Sequence, residues 1–117
     1  MGRRPDGALE RDVMEVLWRS DEPLTPGEVL EQLDVDLAYT TVMTVLGRLH
    51  DKDRAHREVR GRAFAYSAAV SESELAAEQM NAVLSSATDR LGALGGFVGV
   101  LSKGDRAALR RILGGRG

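Results

Sequence analysis

Residues 38–62 gather side chains suited to contact with nucleic acid. Tyr39, Thr40, Thr41, Thr44 and Arg48 lie close together, and Arg60 and Arg62 follow on either side of Gly61. Threonine hydroxyls can meet base edges or phosphate oxygens, and their methyls can meet a thymine methyl. A tyrosine hydroxyl at a helix start can reach a phosphate. Arginines clamp phosphates, which gives register and salt-dependent affinity without reading sequence. A threonine-rich helix face is equally the mark of a plain solvated surface. The elements that carry these residues therefore decide between the two.

Apolar spacing predicts those elements. Leu9, Val13, Val16 and Leu17, widened by Met14 and Trp18, predict a first helix over residues 6–20. Asp21-Glu22-Pro23 breaks it. Thr25-Pro26-Gly27-Glu28 has the capping-box pattern with proline at the first helical position, so a short second helix should run to about residue 34. Val42, Val45, Leu46 and Leu49 then follow i, i+3, i+4, i+7. That stripe makes the third segment a helix despite its β-branched content, with Thr41, Thr44 and Arg48, joined by Thr40 and Gly47, on the opposite side. Residues 55–59 and 62–66 read as a β-hairpin around Arg60-Gly61, with Phe64 and Tyr66 on one face and Gly61 supplying a positive φ.

Three short helices followed by a two-stranded wing is the order of a winged helix-turn-helix, whose third helix enters the major groove. Beyond the wing, Ser71-Glu72-Ser73-Glu74 is a second capping box and should start a long helix toward Arg90. Leu75, Met80, Val83, Leu84 and Leu91 give it an apolar side. Leu94, Phe97, Val98, Val100 and Leu101 form an apolar patch after it. A last helix opens near residue 103, with Leu109, Ile112 and Leu113 expected to be buried, and stops at Gly114-Gly115. This is more apolar surface than a small winged domain covers, and such a surplus usually marks an interface; the alternative is a helical arm folding back on its own domain. A two-fold dimer would bury it and present two winged domains to two half-sites. The expected fold is mainly α with a small β-hairpin wing. The winged domain should occupy residues 1–70, and a helical dimerisation region residues 71–117.

Charge divides in the same way. The net charge is −2 over 117 residues. Residues 1–37 hold 4 Arg against 10 acids, whereas residues 38–66 hold 6 Arg and Lys against 3 acids, plus both histidines. Positive charge concentrates in the segment carrying the third helix and wing, the asymmetry a DNA-reading face leaves.

Several function classes fall away. With no cysteine in the chain, disulfide scaffolds, zinc fingers and thiol catalysis are excluded. No glycine-rich phosphate loop or nucleophile–base grouping suggests an enzyme. His50 and His56 lack ligand partners at workable spacing, so neither a metal nor another cofactor is expected. The longest uncharged run, residues 91–102, is too short and glycine-broken to span a bilayer. Met1-Gly2-Arg3-Arg4-Pro5-Asp6 precedes no apolar stretch, so a cytoplasmic protein without membrane insertion is expected.

The Leu37-Ala38-Tyr39-Thr40-Thr41-Val42-Met43-Thr44-Val45-Leu46 segment and Gly61-Arg62-Ala63-Phe64-Ala65-Tyr66 carry a more specific signal. Together with Leu17-Trp18, Pro23-Leu24-Thr25 and Leu109-Arg110-Arg111, they make the chain resemble the penicillinase-repressor family, the BlaI/MecI type, nearly end to end. The resemblance implies a homodimeric repressor on a palindromic double-stranded operator. Base contacts would come from Thr40, Thr41, Met43 and Thr44, with Tyr39, Arg48, Arg60 and Arg62 on the backbone. Leu75, Met80, Val83, Leu84, Leu94, Phe97, Val98, Leu101, Leu109 and Ile112 would form the dimer clasp. It also implies relief by a membrane sensor-protease activated by a β-lactam. The family's Asn-Phe cleavage bond is here Gly96-Phe97. Asp53 stands where relatives often have a turn-making glycine, and Arg54 and Ala55 where larger apolar residues are usual. The first wing strand is accordingly expected to pack loosely. Two rivals remain: release by a small molecule bound in the apolar patch, and a dimeric module for protein contacts without sequence-specific DNA binding.

Overall fold

The computed structural model describes residues 6–114. Gly115, half of the expected C-terminal stop, lies outside the described residues. Two compact units divide between Leu75 and Ala76, slightly beyond the division expected at 70/71.

The first unit is built from α1 (Asp6–Arg19), α2 (Pro26–Gln32), α3 (Tyr39–Asp51) and an antiparallel hairpin of β1 (Ala55–Arg60) and β2 (Ala63–Ala68). The first turn of α4 (Glu72–Ser86) completes it. Each helix buries the stripe its sequence announces. Val13, Met14, Val16 and Leu17 of α1 meet Val29 of α2 and Val42, Val45, Leu46 and Leu49 of α3 in one core. Each such side chain contributes about 1.5–3 kcal/mol by leaving water. The capping box forms as the spacing predicts: Glu28 N–H donates to Thr25 Oγ1 at 3.3 Å, and Thr25 N–H donates to Glu28 Oε1 at 2.9 Å. Ser71 and Glu74 make the same reciprocal pair at the start of α4, at 3.1 and 2.8 Å. Trp18 closes one side, its indole donating to the Val70 carbonyl at 2.9 Å.

The wing is pinned to the helices. Leu24 and Tyr66 exchange backbone hydrogen bonds of 2.8 and 2.7 Å, an antiparallel bridge on the free edge of β2. Arg60 pairs with Ala63, so the turn is Gly61-Arg62 rather than Arg60-Gly61. Gly61 has φ +65 and Arg62 does not share the positive sign, the pattern of a hairpin turn with glycine first. Asp53 takes φ +63 after α3, the left-handed conformation that a glycine would adopt freely and that aspartate tolerates. Loose packing of β1 is not found at its start, where Ala55 is 3% exposed within the core.

In the second unit α4 stops at Ser86, short of the expected Arg90, and a separate helix α5 (Arg90–Val100) follows, then α6 (Lys103–Gly114). Local side chains cause the break. The Ser86 hydroxyl donates to the Val83 carbonyl at 2.8 Å, and Asp89 caps α5 by accepting the Gly92 N–H at 2.9 Å. Arg106 of α6 donates to the Val98 and Gly99 carbonyls at 3.3 and 3.2 Å, covering the C-terminal end of α5. No described residue of α5 or α6 is buried. Ile112 and Leu113, expected inside, are 64% and 73% exposed because no described residue covers that face. Leu75, assigned from sequence to the dimer clasp, is 2% exposed and belongs to the core of the first unit. It sits on the first turn of α4, which packs with the wing-bearing unit.

Candidate nucleic-acid interface

The outward side of α3 is a polar strip laid on a rigid apolar backing. Val42, Leu46 and Leu49 are fully buried beneath it, which fixes the helix by packing rather than propensity. Tyr39, Thr40, Met43, Thr44 and Arg48 are exposed, and Thr41 is half-buried. The structure thus brings together every α3 residue that the sequence nominated. The Tyr39 ring lies beside Gly27 at the start of α2, where an added Cβ would stand 3.9 Å from its Cε1, an ordinary contact. Ala38 caps α3 without a side-chain hydrogen bond, leaving the first turn's amides without a side-chain acceptor.

One hydroxyl is already committed. Thr44 Oγ1 donates to the Thr40 carbonyl at 2.9 Å, so its remaining capacity is as an acceptor. Facing a base edge, it suits an amino donor of cytosine or adenine.

The cations divide in a way the linear charge count does not reveal. Lys52 Nζ reaches both carboxylate oxygens of Glu10 at 3.0 Å, and Arg54 lies 3.9 Å from the same group. Arg60, expected to clamp phosphate, instead pairs with Glu28 and donates to the Pro23 carbonyl at 3.3 Å. Three cations of the basic segment are thereby matched by acids from the acidic first third. Glu28 has its pKa lowered, foremost by the Thr25 backbone N–H; desolvation opposes this, and the hydrogen bond and charge of Arg60 add to the lowering. Arg62, in the turn itself, is exposed and makes no ion pair or side-chain hydrogen bond among the described residues.

Arg57 is the residue that sequence reading missed. Its guanidinium sits 4.1 Å from the Phe64 ring centroid, and Phe64 meets Tyr66 edge-on at 6.5 Å. Strand register supplies the reason: Arg57 faces Tyr66 and Val59 faces Phe64, so Arg57 is the diagonal neighbour of Phe64. Only a correct register, not composition, could have found it.

His50 Nδ1 is buried without a hydrogen bond, 3.7 Å from an Asp51 carboxylate oxygen, while His56 is exposed on β1. Among the described residues no group of three His, Cys, Asp or Glu could hold a metal ion. None of the described helices is long and apolar enough to cross a membrane.

The penicillinase repressor family model matches residues 7–114. The chain is 43% identical over 112 residues to the transcriptional regulator BlaI of Mycobacterium tuberculosis, in strains CDC 1551 / Oshkosh and ATCC 25618 / H37Rv alike. Each alignment covers 92% of this chain and 81% of the relative. Among solved structures, a crystal structure of AF1382 from Archaeoglobus fulgidus aligns over 70% of this chain and 88% of its own, with TM-score 0.46 and 13% identity. A sequence match running through both units, on a helix-turn-helix with a hairpin wing, makes the chain a member of the penicillinase repressor family, non-enzymatic transcriptional regulators whose role implies DNA binding.

Proposed function

We propose that the protein is a dimeric repressor that holds a palindromic operator through α3 and the wing of each protomer. The observation that carries this reading is the α3 face: Tyr39, Thr40, Met43 and Thr44 are exposed above a fully buried stripe. Thr40, Thr41, Met43 and Thr44 read base edges in the major groove. Tyr39, Arg48 and Arg62 contact phosphates and set register. The start of α3, which has no side-chain cap, adds the Tyr39 and Thr40 amides for a phosphate at the groove edge.

Dimerisation is supported by the second unit. Met80, Val83, Leu94, Phe97, Val98 and Ile112 are all at least 40% exposed. Leu84, Leu101 and Leu109 are half-buried and extend the same apolar supply. A second copy covering these residues would link two weak half-site contacts into one strong one. Proteolysis by a membrane sensor-protease responding to β-lactam would relieve repression by cutting this region, with Gly96-Phe97 the bond in the position family likeness indicates. A second reading has an observation of its own. A groove of about 560 Å³ lined by Met80, Val83, Leu84, Leu94 and Phe97 could take an apolar effector instead.

The test is binding of purified protein to a palindromic duplex, selected by the protein from random sequence, against a scrambled duplex at two salt concentrations. Preference for the palindrome at two chains per site is expected. Equal weak binding to both would move the function toward protein contacts. Inducer-dependent loss of full-length protein would separate proteolysis from release by an effector, which would leave the chain intact.

A further inference from the structure

Arg60 and Glu28 join the wing tip to the helix-turn-helix. Arg60 is the last residue of β1, paired with Ala63 across the turn. Its guanidinium reaches Glu28 Oε1 through Nη2 and the Pro23 carbonyl through Nη1, the latter at 3.3 Å. Glu28 is not a free surface acid. The same oxygen, Oε1, also accepts the Thr25 N–H at 2.9 Å, so one carboxylate both closes the N-terminus of α2 and holds the wing. Pro23 adjoins Leu24, whose backbone pairs with Tyr66 in the middle of β2. The hairpin is therefore fastened at two levels: by backbone bonds at Tyr66 and by a side-chain strut near its tip.

We infer that Arg60 is a positioning residue, a strut to Glu28 that fixes the wing tip relative to α3, and that the phosphate contact of the wing belongs to Arg62. The inference rests on the operator-binding reading and reassigns one residue within it. Arg62 follows Gly61 in the turn and is exposed without a protein partner among the described residues. Arg60 is matched by a carboxylate, so the pair is electrically neutral and releases no counterions from DNA. For Arg60 to clamp a phosphate it would have to leave Glu28 behind, unpaired and negative, beside the DNA backbone. Geometry, not added charge, is what the strut supplies to binding: Arg62 reaches the duplex at the spacing set by α2 and α3.

Glu28→Gln separates the two roles, because glutamine keeps the capping box while removing the charge that holds Arg60. Two measurements on the full chain decide it. The first is backbone order of the wing amides by NMR relaxation in the DNA-free protein. The second is the salt slope of binding to the selected palindrome. A strut predicts lower order at residues 58–64, binding weakened about two- to fivefold, the range of an exposed ion pair, and an unchanged salt slope. The neutral double variant Glu28→Gln/Arg60→Met should do the same. Tighter binding by Glu28→Gln with a slope steeper by about 0.9 per wing would show Arg60 released onto a phosphate, overturning the inference. Unchanged wing order would overturn it as well. Failure of the wild-type protein to prefer any palindrome would defeat the operator reading instead, and the relaxation data would still decide whether the strut holds the wing.

Discussion

The two units of this chain meet the same requirement, burial of apolar surface, in opposite ways. The first draws its buried residues from three helices, a hairpin and the first turn of α4, and closes one core around Met14, Leu46 and Leu49. The second holds three helical segments and buries none of α5 or α6, although α5 is the more apolar sequence. The difference teaches that apolar content by itself does not make a domain. The stripes of α1 and α3 have partners within the chain, whereas the apolar residues of α5 and α6 stay exposed among the described residues.

That contrast can be broken from either side. The largest effect is expected in the first unit. Leu46→Ala leaves a cavity beneath α3 and should lower its stability by about 2–5 kcal/mol, measured by urea unfolding followed through Trp18 fluorescence. A loss below 1 kcal/mol would mean that the core is less closed than its burial indicates. In the second unit, Phe97→Asp puts a charge where a partner should sit. It should raise the dimer dissociation constant by more than about 30-fold, the loss expected for a central aromatic anchor, while leaving the Trp18 unfolding transition in place. Sedimentation that still shows dimers at micromolar protein would place the clasp elsewhere.

Smaller effects sharpen the comparison within the reading face. Thr44→Ala removes an acceptor whose own proton is committed to Thr40, and should cost about 1–3 kcal/mol of operator preference. An equal loss on scrambled DNA would show that Thr44 touches only backbone. Arg62→Ala should weaken binding to every duplex and flatten the salt slope by about 0.9 per wing. A slope that does not move would take the wing tip off the DNA.

How much of this was legible in the sequence depends on the distance over which each feature is decided. The helices of the first unit were readable because a 3.6-residue stripe and a capping box are local signals, and both boxes form with the residues that announce them. The α3 face followed directly, since the side opposite Val42, Val45, Leu46 and Leu49 has to be the outer one. The end of α4 at Ser86 was missed because its stripe continues in sequence toward Leu91 while short side-chain bonds at Ser86 and Asp89 stop the helix. Leu75 was misassigned because one helix serves the core at its first turn and offers a different, open face afterwards. The charge division was sound as arithmetic but incomplete as electrostatics. Glu10 and Glu28 cross from the acidic third to meet Lys52, Arg54 and Arg60, pairings that exist only after folding.

The glycines of α5 bear on how this regulator could be switched off. Gly92, Gly95, Gly96 and Gly99 fall within its 11 residues, and an added methyl at Gly95, Gly96 or Gly99 would meet nothing within 4 Å in the single chain. Each glycine costs a helix about 0.8–1 kcal/mol relative to alanine. The segment around Phe97 is therefore held helical by little of its own. In the single chain it should open and close far more often than α3, and its amide hydrogens should exchange with solvent among the fastest in the helices. If the proposed dimer forms through this region, a backbone that loosens on dissociation would be open to a cutting enzyme, and each cut would make reassociation harder.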